Sequence, residues 1–176
     1  MRDSIRLATQ RDRSDVEEIV HAAYVRYIPR IGREPGPMLD DYAALIDAKR
    51  VHVLERQERI QGILVLIPES DAMLLDNVAV APRAQGSGVG RQLLTFAESA
   101  AAQAGYRSIR LYTNEAMTEN ITLYAKIGYV ETHRTTEKGL RRVYMIKPLT
   151  TVGGEAVACR PAIDDPPTPP NSAARP

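Results

Sequence analysis

A chain of 176 residues is long enough to fold as one domain with a sizeable core. Its formal net charge of +1, with basic residues spread rather than blocked, leaves no field that would gather nucleic acid or an anionic membrane surface. The single cysteine, Cys159, excludes an internal disulfide framework and suits a reducing compartment. The N-terminus lacks the apolar core of a signal peptide and no apolar run approaches bilayer length, so a cytoplasmic location without membrane partners is expected.

Residues 5–8 read as a first strand. Ser14 and Glu17 stand at capping-box spacing. Val16, Ile19, Val20, Ala23, Tyr24 and Tyr27 then recur at helical intervals, which predicts a helix to about Tyr27. Residues 28–37 hold Pro29, Gly32, Pro35, Gly36 and Pro37 and predict a loop. A second helix is predicted over 39–48, with Leu39, Tyr42, Leu45 and Ile46 on one face. Residues 51–55 and 60–67 read as strands joined by a polar turn at 56–59, and 74–80 as the next strand. A glycine-rich turn leads into a helix over 90–104, stopped by Gly105. A strand over 109–113, a helix over 119–127 stopped by Gly128, and strands over 129–133 and 141–146 close the pattern. The order predicts an α/β (α+β) fold, a mixed sheet covered by helices. The pattern ends near Pro148. Residues 1–149 are therefore expected to form the domain. Residues 150–176, with Pro166, Pro167, Pro169 and Pro170, are expected to form a disordered tail.

The most informative segment is Gln85-Gly86-Ser87-Gly88-Val89-Gly90, between a strand and a helix. That arrangement offers free N–H groups to phosphate, because the first amides of a helix lack internal partners and its dipole favours an anion. A P-loop needs Lys followed by Ser or Thr after the last glycine, but Arg91-Gln92 stands there. The dinucleotide pattern G-x-G-x-x-G needs a glycine at position 91 and fails as well. What remains is Q-x-x-G-x-G, preceded by Val78-Ala79-Val80-Ala81-Pro82. It resembles the acetyl-CoA motif of the GNAT N-acetyltransferase superfamily. Taken alone, six residues also suit a turn that only caps a helix. A second segment, Asn120-Ile121-Thr122-Leu123-Tyr124-Ala125-Lys126-Ile127-Gly128-Tyr129, is similar to the superfamily's other signature and stands in the order the family requires. One departure is Leu74, where many members carry a glutamate near the start of the strand.

The resemblance implies a GNAT fold, with a mostly antiparallel sheet of six or seven strands, and acetyl-CoA as the acyl donor. Amides of Gly86, Ser87, Gly88, Val89, Gly90 and Arg91 are expected to meet its pyrophosphate, beside Gln85, with closest approach over Gly88 and Gly90. Arg83 and Arg91 are further phosphate candidates, or solvated arginines. The pantetheine arm is expected to pair with the main chain of Val78, Ala79 and Val80, with the Val78 N–H as donor to the carbonyl oxygen. Tyr124 falls at the family's general-acid position. Its phenol is protonated at neutral pH and can donate to a leaving thiolate. Leu123 and Ile127 are expected to supply the core face of that helix. Asn120 either holds the pantetheine amide or caps the helix.

With the usual glutamate missing, Asp76 is the leading base or ammonium anchor, since it shares a strand face with Leu74. Its other reading is a carboxylate bonded to backbone. Glu115 is the next carboxylate, and His133 stays open. His21 and His52 suit structural roles. Tyr112 is expected to line the acceptor pocket, and in the family the 28–37 loop roofs it, which brings in Tyr24, Tyr27, Arg30, Arg33 and Glu34. No residues have metal-ligand spacing, so no metal is expected. The implied activity is transfer of an acetyl group to a primary amine of a small molecule or peptide by direct attack in a ternary complex. The absence of a cysteine in the folded region argues against an acyl-cysteine route. A non-catalytic acyl-CoA sensor is the alternative, and a homodimer is possible within the family.

Overall fold

The structure, a computed structural model, describes residues 3–150. The segment expected as a tail lies outside them except for Thr150, as does Cys159. Alternating apolar residues build strands β1 (Ser4–Leu7), β2 (Val51–Arg56), β3 (Arg59–Pro68), β4 (Met73–Val80), β5 (Ser108–Asn114), β6 (Val130–Glu137) and β7 (Leu140–Pro148). Helical periodicity builds α1 (Arg13–Tyr24), α2 (Ile28–Ile31), α3 (Tyr42–Asp47), α4 (Val89–Gln103) and α5 (Thr118–Lys126). The sheet runs β1-β2-β3-β4-β5-β7-β6. Every neighbouring pair is antiparallel except β4–β5. This is the mixed sheet that the element order predicts, mostly antiparallel as the resemblance implies.

The centre of the core is β3, buried without a break from Gly62 to Leu66. Side chains alternate across a strand, so such a run requires cover on both faces. Helices α1 and α4 both pack on β3 and β4 and supply it. Gly62 lets α4 approach closely. A Cβ there would stand 2.9 Å from both Leu93 Cδ1 and Val89 Cγ1. The β6–β7 hairpin continues the sheet beyond β5.

The parallel pair is short. It joins only Met73–Leu75 to Ile109–Leu111. Beyond Leu75, β4 runs on to Val80 with β3 as its only neighbour, and a register shift falls opposite Asp76. A wedge therefore opens between β4 and β5 in the middle of the sheet.

Several boundaries differ from the sequence reading. Helix α1 starts at Arg13, and the reciprocal capping pair lies a turn earlier, with Asp12 accepting from the Thr9 N–H at 2.7 Å. Glu17 accepts from Arg13 instead. The 28–37 loop contains a helical turn, α2. Pro29 is tolerated there because first-turn amides need no partner. Helix α3 begins only at Tyr42, since Asp41 caps it by accepting the Ala44 N–H at 3.0 Å. Leu39 consequently lies outside the helix and is 68% exposed.

Candidate active site

The glycine turn forms an anion cradle by leaving its amides unspent. Gly86 and Gly88 take φ of +78° and +85°, which side-chain-bearing residues adopt only with strain. Gly88 stands at the N-cap of α4, and the first intrahelical donor is Gln92, bonded to Gly88 O at 3.1 Å. Among the described residues the amides of Gly86, Gly88, Val89, Gly90 and Arg91 have no acceptor. Ser87 departs from expectation. Its N–H and hydroxyl both turn back to Ala84 O, at 3.3 and 2.6 Å, and so hold the turn closed. The Gln85 amide is likewise spent on Pro82 O, and its side chain reaches Val80 O at 3.5 Å. Arg83 donates to Ile60 O at 2.8 Å, which commits it to the sheet, whereas Arg91 is exposed beside the free amides.

The wedge exposes a backbone edge next to this cradle. The Ala81 N–H bonds Gln61 O at 2.8 Å, and antiparallel ladders alternate bonded and unbonded pairs. Ala79 therefore faces β3, and Val78 and Val80 turn their N–H and C=O groups to the open side. Two contacts agree: Gln85 reaches Val80 O, and the Tyr24 hydroxyl lies 3.5 Å from Val78 O.

Where the strands part lies a cavity of about 160 Å³, lined by β4, β5, α1, α5 and the loop after α2. Asp76 and Tyr112 meet there, the phenol donating to Asp76 Oδ1 at 3.1 Å. Burial pushes the Asp76 carboxyl above its usual range, while the Tyr112 bond and the Arg142 charge pull the other way. The Arg142 guanidinium lies 4.4 Å from the Tyr112 ring centroid and pairs with Glu137 at 2.6 Å. Tyr124, on α5, is only 8% exposed, and its hydroxyl makes no hydrogen bond among the described residues. Burial raises its pKa, so the phenol stays protonated at neutral pH. Asn120 lies one turn earlier on the same wall. It sits inside the first turn of α5 and does not cap it, its amide contacting Met117 Sδ at 3.6 Å.

The expected core face of α5 is corrected in part, for Ile127 packs against the core as expected. Leu123 is 48% exposed, and Tyr124 is the buried residue of the helix. The turn at Gly128 brings Tyr129 back against it, with ring centroids 5.7 Å apart.

Most of the expected roof points elsewhere. Tyr27 is 3% exposed and lies under the Arg26 and Arg30 guanidiniums, outside the cavity lining. Arg30 forks onto both Glu119 oxygens at 2.8 and 2.9 Å. Arg33 donates to Lys138 O at 2.6 Å and ties the loop to the β6–β7 hairpin. Glu115 is paired with Arg134 and Arg141. His52 packs on Phe96, and His133 stacks on Tyr144 at 4.4 Å, both away from the cavity.

Two features escaped the sequence reading. Asp40, exposed at the cavity mouth, has its carboxyl pushed up to about 6 by desolvation and by the charge of Asp76. A relay also fixes the inner wall. Tyr24 donates to Asn77 Oδ1 at 2.7 Å, Asn77 donates to the Tyr42 hydroxyl at 2.9 Å, and Tyr42 donates to Pro37 O at 2.8 Å. The Asp41 cap was the available signal for Asp40, since capping turns one of the adjacent aspartates to α3 and leaves the other free. Nothing in the spacing signals the relay.

Residues 47–131 match the family model of the acetyltransferase (GNAT) domain. No curated protein matches the chain by sequence. The ribosomal-protein-S18-alanine N-acetyltransferase from Escherichia coli superposes with a TM-score of 0.68 at 19% identity, over 89% of this chain and 100% of that one. Ard1 from Thermoplasma volcanium gives 0.68 at 19%, over 84% and 98%. A chain of the NatC complex bound to Gag peptide and CoA gives 0.65 at 15%, over 85% and 100%. At such identities the likeness is one of fold, and the family match alone points to an acyltransferase. By sequence, residues 47–131 carry the GNAT acetyltransferase pattern, and the chain is similar to GNAT N-acetyltransferases in fold.

Proposed function

We propose that this protein transfers an acetyl group from acetyl-CoA to a primary amine of a small molecule or peptide, by direct attack with both molecules bound. The observation that carries this reading is the run of unspent amides at Gly86, Gly88, Val89, Gly90 and Arg91, continuous with the open edge of β4 and with the cavity beyond it. These residues fit the donor. The amides suit a pyrophosphate, the outward-facing main-chain groups of Val78 and Val80 suit the pantetheine amides, and Asn120 lines the same cavity. Acetyl-CoA supplies a thioester whose acetyl group an amine can accept.

The chain's own residues supply the rest. The Val78 N–H faces the wedge, where it can donate to an oxygen that gains negative charge. Tyr124 holds a proton on an unbonded hydroxyl, in place to donate to a departing thiolate. Asp76 receives the ammonium form of the acceptor and takes up its proton, directly or through water. Its raised pKa brings it closer to the working pH of a base. Tyr112 and Arg142 hold its orientation and charge.

Thiol release measured over a panel of amines and short peptides tests the activity, with calorimetry of coenzyme binding beside it. The Tyr124→Phe variant is expected to bind coenzyme like the wild type and to lose turnover about a hundredfold. Undiminished turnover would remove Tyr124 from the chemistry.

A further inference from the structure

The charge balance of the cavity, taken with the acetyltransferase reading on which this inference rests, narrows the acceptor. Partly buried carboxylates elsewhere are matched by cations: Asp12 by Arg6, Asp3 by Arg56, Glu69 by Arg110, and Glu98 by Lys147. Asp76 and Asp40 have no ion-pair partner among the described residues, although both line the cavity. Arg142, on the same wall, already serves Glu137 and the face of Tyr112. The Tyr124 hydroxyl, on a side chain more than nine-tenths buried, faces the same space without a hydrogen bond. Two unmatched carboxyls and an unspent phenol thus surround one small volume. A half-buried carboxylate such as Asp76, held without an ion-pair partner, is costly, and a ligand cation offsets that cost, while Asp40 adds its charge at the mouth.

Size limits the ligand as well. A cavity of about 150 Å³ holds a ring of six carbon atoms. The 160 Å³ here therefore admits a chain of about six non-hydrogen atoms. Ile31, Pro35 and Leu140 give it apolar walls.

We propose that the acceptor is a short aliphatic diamine, one nitrogen presented at Asp76 for acetylation while a second ammonium pairs with Asp40. The attacking ammonium gives its proton to Asp76 and onward to solvent. Its nitrogen then bonds the acetyl carbon and sheds a second proton through Asp76 to solvent as the carbon–sulfur bond breaks, and the sulfur takes the Tyr124 proton, which solvent restores. The products are a monoacetyl diamine, free thiol and one released proton. The second ammonium keeps its charge throughout. A carboxylate in place of that ammonium would face Asp40 and Asp76 and be repelled, and an uncharged end would leave Asp40 unmatched.

Thiol release with the full chain tests this using 1,4-diaminobutane, butylamine and 4-aminobutyrate, which share a four-carbon spine. The expected order in kcat/KM is diamine above butylamine by tenfold or more, with 4-aminobutyrate lowest. Asp40→Asn is expected to bring the diamine-to-butylamine ratio to within about threefold, and Asp40→Ser serves if the first variant folds poorly. Calorimetry of 1,4-diaminobutane binding to the CoA-loaded protein gives a readout independent of turnover, and its heat is expected to fall in the variant. Equal use of diamine and butylamine, preference for 4-aminobutyrate, or an unaltered ratio in the Asp40 variant would overturn the proposal. If CoA binds but none of the three amines reacts, the acceptor proposal alone falls. If CoA gives no heat, the acetyltransferase reading falls first and takes this one with it.

Discussion

Asp76 and Tyr112 form the pair on which the proposed chemistry turns. The carboxyl is raised by burial and restrained by the tyrosine's hydrogen bond. Removing that bond with Tyr112→Phe destabilises the carboxylate form, so the pKa rises further. If Asp76 takes the proton, the acid limb of kcat/KM moves to higher pH in the variant, and a pH–rate profile checks it. Asp76, Tyr112 and Tyr124, expected at the site from the sequence for different reasons, all line the cavity. The motif placed Tyr124, and strand alternation placed the other two on one face. Tyr27, Arg30 and Arg33 were misread because composition says which groups a loop carries and not where they point. One helical turn at Ile28–Ile31 sends these arginines to Glu119 and Lys138 instead of the cavity.

Among the elements, the turn into α4 carries the greatest weight. Its free amides exist only because Gly86 and Gly88 hold left-handed conformations. A β-branched residue at Gly88, with φ +85°, costs about 1–2 kcal/mol of backbone strain and places a side chain over the amides. Space alone does not forbid it, since no atom lies within 4 Å of the point where its Cβ would stand. Gly88→Val is therefore expected to remain folded by circular dichroism and to lose coenzyme heat in calorimetry. The segment was legible because three glycines at fixed spacing after a strand have few other physical uses. The wedge beside it was not. Where a parallel pair stops hydrogen-bonding depends on neighbouring strands and on the irregularity opposite Asp76, which no local pattern records.

Across the whole molecule, the first strand is fastened to the sheet by charges. Arg6 bridges Asp12 and Glu55, and Arg56 binds Asp3. Arg6 and the Thr9 N–H hold the Asp12 carboxyl down at about 2. Its folded-state value lies below the ordinary 3.8, so its contribution is full above about pH 4 and is lost as pH falls towards 2. Asp12→Asn is expected to cost about 2 kcal/mol near neutral pH and much less near pH 2, read from urea melts at both. The sheet's composition was legible from alternation and turn residues, since each strand announces its own faces. The order β5-β7-β6 was not, because a hairpin can join an edge from either strand. The account as a whole rests on how these parts converge on one donor. A crystal structure with CoA tests it most directly. It is expected to place diphosphate oxygens about 3 Å from the amides of Gly86, Gly88, Val89, Gly90 and Arg91, with the sulfur facing Tyr124. A diphosphate bound anywhere else on the molecule would contradict it.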